Sequence, residues 1–220
     1  MLRVVVPAAG LGTRFSNAGY KDPKPLIQVS GSPMIERIIN NFVSNYETDD
    51  DTIHPVLTKE IYNQYKNILD DVLNEYPSVP GIMTIDGVTN GAATTINMAL
   101  QGFKDDDELF IRNSDDLCLQ PDSYEDAIDY WRRTESDGGI MCFAPADGTS
   151  KWSYVELSHD KVTRVAEKDP ISPFATFGGY YFRRISDFKR AYARMVEMKD
   201  MTKNEFYLCP VFNHLIALGG

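Results

Sequence analysis

The stretch VVVPAAGLGTRFSNAGYKDPKPL, Val4 to Leu26, decides how this chain folds. Its β-branched run, Val4, Val5 and Val6, reads as a strand buried on both faces, and it empties at once into a loop holding Gly10, Gly12 and Gly19. Glycines remove the Cβ atoms that keep other groups away from backbone, and exposed N–H groups in such a loop form a concavity suited to phosphate oxygens. The loop is cationic in an acidic chain: Arg14, Lys21 and Lys24 stand there against Asp22 alone, while the whole sequence carries a formal net charge of -10. Pro23 and Pro25 flank Lys24 and fix φ on either side of it, so less freedom is lost when that lysine engages an anion.

Two phosphate motifs fit poorly. The dinucleotide fingerprint asks for a third glycine where Phe15 stands, and for an acid closing a second strand. A P-loop puts Gly-Lys-Ser/Thr at the head of a helix, whereas Lys24 follows a proline. AAGLGTRF followed by DPKPLI instead resembles the signature of the sugar-1-phosphate nucleotidylyltransferases, in particular short members of the capsule and surface-polysaccharide type. These enzymes join a nucleoside triphosphate to a phosphorylated small molecule. The resemblance implies a Rossmann-like, GT-A-type fold in which Ala8, Ala9, Gly10, Leu11, Gly12 and Thr13 wrap the nucleotide. It further implies that Arg14 and Lys24 meet phosphates and that Mg2+ completes the site.

Composition sets outer bounds. A chain of 220 residues with 43% hydrophobic and 25% charged residues is sized for one α/β domain with a substantial core. The acidic balance argues against a nucleic-acid backbone as partner, since such proteins carry a broad basic face. The acidic runs Glu47 to Asp51 and Asp105 to Glu108 read as solvated loops. Three widely spaced cysteines, Cys118, Cys142 and Cys209, make neither a disulfide framework nor a zinc pattern. With no signal-like start and no membrane-length apolar run, the expected compartment is the cytoplasm, without membrane association.

Along the chain, a short strand over Leu26 to Val29, a helix beginning at Pro33, a strand over Thr52 to Thr58 and a helix from Ile61 to Leu73 precede a strand at Gly81 to Ile85. Strand and helix alternate, as in a parallel sheet covered by helices on both faces. Asn90, Gly91, Ala92 and Ala93 open a further helix with small residues, and the resemblance makes them a second nucleotide-contacting segment. The strand Glu108 to Arg112 delivers Asp115 and Asp116 at its carboxyl end, where open α/β sheets bind ligands and where hard oxygen donors suit magnesium. Asp115 matches the family's metal aspartate, with Asp116 in reserve.

After Gly138 the pattern changes to short strands at Ile140 to Ala144, Ser153 to Leu157, Lys161 to Val165 and Thr176 to Phe182, read as antiparallel additions to the sheet. The resemblance assigns the acceptor to this side, on Ser153, Glu167, Lys168 and Thr176, and brings Glu205 back as a second metal ligand. The expected organisation is a single domain over 1–220, with 1–135 binding nucleotide and 136–220 binding acceptor. The resemblance implies an enzyme that transfers a nucleotidyl group to a small phosphorylated acceptor and releases pyrophosphate, and the lack of a Ser-His or Cys-His arrangement fits this. A nucleotide-binding regulatory domain and a GT-A-type glycosyltransferase using a nucleotide sugar are the alternatives.

Overall fold

The computed structural model describes residues 1–46, 51–120 and 122–220. Its centre is β1 (Leu2–Pro7), in which Val4, Val5 and Val6 are at most 1% exposed. Pleating sends alternate side chains to opposite faces, so one strand feeds two cores. Val5 packs with the helices α4 (Ala92–Ala99), α6 (Ile185–Glu197) and α7 (Val211–Ala217). Leu2, Val4 and Val6 pack on the other side with α2 (Met34–Val43), α3 (Lys59–Leu73) and α5 (Ser123–Arg133). On α2 the spacing of Ile35, Ile38, Ile39 and Phe42 puts all four on one face, each at most 1% exposed. Burial of each such side chain stabilises the fold by about 1.5–3 kcal/mol before entropy is counted.

Among the described residues the main sheet has eight strands. On one flank of β1 lies β4 (Thr52–Thr58) and then β5 (Met83–Ile85); on the other lies β6 (Glu108–Arg112), and these four run parallel. Next to β6, β10 (Ala175–Phe182) runs antiparallel and pairs in turn with β7 (Gly138–Phe143) and β8 (Ser153–Ser158), which carries β9 (Lys161–Glu167). The fold is thus a mixed α/β sandwich with a parallel centre and an antiparallel extension, as the alternation of elements predicts.

Some local expectations change. Instead of a strand over Leu26 to Val29 there is a 3-10 turn at Lys24–Leu26, entered through Pro23, and a two-residue strand β2 (Gln28–Val29) paired with β3 (Ser32–Pro33). Pro33 sits just ahead of α2 rather than within it. The acidic run at 105–108 is not a solvated loop throughout. Asp107 is 7% exposed and accepts from Arg3 Nε at 2.9 Å, while Glu108 opens β6 and holds Arg132 at 2.7 Å. Residues 47–50 of the other acidic run lie outside the described residues; Asp51 accepts the Leu2 N–H at 2.7 Å.

The three histidines divide by burial. His54, on β4, is buried against Phe103 with Nε2 2.7 Å from Thr52 Oγ1. His214 is buried beside Asp200, and His159 sits in an exposed turn.

Candidate active site

The parallel strands β1 and β6 end on the same side of the sheet, and the segments that follow them face each other across a cleft of about 490 Å³. Its walls include Ala8, Ala9, Gly10, Leu11, Gly12, Thr13 and Arg14 after β1, Lys24 from the 3-10 turn, Gly91 and Ala92 at the start of α4, and Asp115 after β6. Glu205 and Tyr207 close it from the chain's far end.

Gly12 explains why the glycine loop and the Pro-Lys-Pro segment work as one unit. Its φ is 61°, and a Cβ there would stand 3.1 Å from Lys24 Cβ, so glycine lets the two segments pack together. Gly10 differs: a Cβ at Gly10 would meet nothing within 4 Å, which leaves open space over the loop. Lys24 reaches across to Asp115 with Nζ 2.7 Å from Oδ2. The aspartate is 43% exposed, so the pair is worth no more than about 1 kcal/mol, and a phosphate can take the lysine from it.

Asp116 lies behind Asp115. Burial raises its carboxyl above the usual range and the neighbouring Asp115 charge adds to this, while Asn113, which donates to Oδ2 at 3.1 Å, and the cations Arg112 and Lys24 pull the other way. Of the two, Asp115 is the carboxylate that lines the cleft. With Glu205 it makes two carboxylates beside Lys24 and Arg14. Among the described residues no three His, Cys, Asp or Glu side chains gather into a closed metal cage. Two carboxylates with room for phosphate oxygens are nevertheless a donor set that fits Mg2+, which keeps waters and shares its ligands with substrate phosphates.

Glu205 and Tyr207 are carried in by Phe206, whose backbone is stitched to the α4 start. Phe206 N–H donates to Asn90 O at 2.8 Å, and Ala93 N–H donates to Phe206 O at 3.1 Å. Asn90, expected on the nucleotide, is thus outside the cleft wall: its carbonyl holds Phe206 and its Oδ1 accepts from Thr94 at 2.7 Å. Ala93 is wholly buried with its N–H engaged, for the same reason.

On the acceptor side, Ser153 and Glu167 are register partners on β8 and β9, and the Ser153 hydroxyl donates to Glu167 Oε2. The other Glu167 oxygen holds Lys168 Nζ at 2.9 Å. Lys168 adopts a left-handed backbone, φ 59°, and its ammonium lies 5.3 Å from the centre of the Tyr207 ring. These three residues stand beyond the cleft wall, next to it across Tyr207. Thr176 departs from expectation, because its buried hydroxyl is hydrogen-bonded to Tyr180 at 2.9 Å. Trp152 packs edge-on against Phe143.

Sequence reasoning missed Thr89, Thr95, Asn113, Ser114 and Tyr207, all of which line the cleft. For Asn113 and Ser114 the signal was adjacency to Asp115. Tyr207 stands two residues after Glu205, the extended spacing that returns a side chain to the same side.

Comparisons with known proteins give a consistent neighbourhood. Residues 3–207 match the protein family described as Nucleotidyl transferase. A 2-aminoethylphosphonate cytidylyltransferase of Lancefieldella rimae is 52% identical over 40 residues, covering 18% of this chain and 16% of that protein. The bifunctional protein GlmU of Methanococcus maripaludis is 26% identical over 165 residues, covering 74% and 35% respectively. The matched regions thus span about a third or less of these curated relatives. Among solved structures, a nucleoside-diphosphate-sugar pyrophosphorylase from Vibrio cholerae superposes with a TM-score of 0.79 at 25% identity, covering 98% of this chain and 88% of that one.

Proposed function

Because the chain belongs to the nucleotidyl transferase family, we propose that it is an enzyme that transfers a nucleotidyl group from a nucleoside triphosphate to a small phosphorylated acceptor, a sugar 1-phosphate first among the candidates, as the likeness to a nucleoside-diphosphate-sugar pyrophosphorylase supports. A phosphate oxygen of the acceptor attacks the α-phosphorus, and pyrophosphate leaves. The observation that carries this reading is the convergence of Arg14 and Lys24 from the first stretch, Asp115 after β6 and Glu205 from the far end of the chain on one cleft.

Transfers of this kind depend on placing two anionic reactants in line and screening their charge, rather than on a protein nucleophile. Gly10 and Gly12 let the nucleotide approach the loop backbone; Arg14 and Lys24 screen its phosphates and the departing pyrophosphate. Asp115 and Glu205 are the residues that would hold Mg2+, which would supply charge neutralisation at the transferring phosphate. Lys168, braced by Glu167 and the Tyr207 ring, orients the acceptor phosphate. In this reading residues 1–135 contribute most of the nucleotide wall and 136–220 most of the acceptor wall.

The test is a matrix of four nucleoside triphosphates against sugar 1-phosphates, phosphocholine and 2-aminoethylphosphonate, with Mg2+, read by pyrophosphate release. CTP leads the triphosphates, since the stretch shared with the Lancefieldella protein belongs to a cytidylyltransferase. Pyrophosphate formed only when triphosphate and acceptor are both present supports the reading. Use of nucleotide sugars alone would favour a glycosyltransferase, and nucleotide binding without turnover a regulatory domain.

A further inference from the structure

Asp115 stands on a short loop after β6, and that loop is tied down from the side away from the cleft on both sides of the aspartate. Before it, Asn113 N–H donates to Gly178 O at 2.8 Å. The Asn113 side chain lies against Gly178, where a Cβ would be 2.2 Å from its Nδ2. After it, the Asp116 carbonyl accepts from Arg112 Nη2, and Cys118 is gripped at both backbone groups by Asn41 of α2. Asn41 Nδ2 donates to Cys118 O at 2.6 Å, and Asn41 Oδ1 accepts from Cys118 N–H at 3.0 Å and from the Tyr124 hydroxyl at 3.1 Å.

Arg112 is unusual by its surroundings. It is 0% exposed and forms no ion pair among the described residues; its guanidinium lies 5.5 Å from the Tyr124 ring centre and 5.7 Å from that of Phe177. Its Nε is buried without a hydrogen-bond partner. Burying a guanidinium is costly unless it is well paired, and a methionine of similar length would fill the same space more cheaply. What a methionine could not do is hold the Asp116 carbonyl.

We propose that Arg112 and Asn41 are positioning residues for the transfer reaction: clamping the backbone at Asp116 and Cys118 from behind, they set where Asp115 meets metal and phosphate. The inference rests on the reading of Asp115 as the metal carboxylate. Neither residue touches the cleft; each acts through the loop, as groups behind a metal ligand do when they fix its orientation.

The decisive variant is Asn41→Ala, because the partly exposed Cys118 backbone it releases can be hydrated. Two readouts go beyond turnover of the loaded enzyme: Mn2+ affinity by electron paramagnetic resonance with triphosphate present, and the split between kcat and the acceptor KM. The expected result is a rise of about 10-fold or more in both the Mn2+ dissociation constant and the half-activating Mg2+ concentration, with acceptor KM unchanged. Arg112→Lys, which keeps the charge and loses the fork, should move the same quantities in the same direction.

Should Asn41→Ala fail to fold, Tyr124→Phe removes a single hydrogen bond from the clamp and should give a smaller shift of the same kind. Metal affinity within twofold of the parent in the folded variants, while Asp115→Asn loses metal binding, overturns the inference and leaves the Asp115 reading intact. Full metal binding and turnover in Asp115→Asn overturns both.

Discussion

Replacing Gly91 by alanine is the sharpest test of how the cleft is assembled. Gly91 has φ 124° and ψ 162°, a region that side-chain-bearing residues scarcely enter, and a Cβ there would fall 2.4 Å from Phe206 O and 2.6 Å from Phe206 N. These are backbone atoms, so no side-chain rotation relieves the clash. Alanine held at these angles carries about 1–3 kcal/mol of strain, and the Phe206 backbone must also withdraw and give up its hydrogen bonds to Asn90 and Ala93, at about 1 kcal/mol each.

A combined cost of roughly 3–5 kcal/mol lowers the melting temperature of a domain this size by about 10 °C or more. Because Phe206 carries Glu205 and Tyr207, folded Gly91→Ala should also bind metal and triphosphate more weakly. The assays are thermal unfolding with and without triphosphate, and Mn2+ affinity. A variant that melts within 2 °C of the parent and keeps both affinities would refute the claim that backbone contact at this glycine builds the cleft wall.

Asp115→Asn keeps the shape of the side chain and removes its charge, so pyrophosphate release should fall by about 10²–10³-fold. Lys168→Met should raise the acceptor KM severalfold while leaving the triphosphate KM near the parent value, measured by varying each substrate in turn. Burial, with a smaller effect of the Arg3 charge, lowers His54 to about 4 from an ordinary value of 6.5. Between those values the folded chain binds fewer protons than the unfolded one. Stability from this residue is therefore complete above pH 6.5 and lost as pH falls toward 4, by at most about 3 kcal/mol. Unfolding free energies from urea melts across that window should flatten in His54→Phe; an unchanged slope would rule His54 out as the source.

The parallel half of the fold was legible because local signals agree there: a β-branched run, glycine punctuation and helices with one apolar face repeat from Val4 to Arg112. Less legible was the return of β10 to lie beside β6, since it joins residues more than sixty positions apart and no local pattern encodes the pairing. The same distinction governs the site. Gly12 and Lys24 stand close in sequence, and their motif survives as a physical contact. Thr176 is placed on the acceptor by resemblance, and nothing in the local sequence says that Tyr180, four residues on, takes its hydroxyl. Tyr207 was passed over because nothing local reveals that Phe206 is pinned to Gly91, over a hundred residues earlier.

That pinning bears on how the molecule is made. Synthesis runs from the N-terminal side, so β1 and β6 can pair before β10 is made, and β6 keeps a bare edge until β10 emerges. Nascent protein is open to wrong partners along that edge for all of the intervening synthesis. The last wall of the cleft arrives later still, with residues 205–207. Competence to grip a triphosphate should therefore appear abruptly, once residues 205–207 have emerged, rather than accumulating as the chain lengthens.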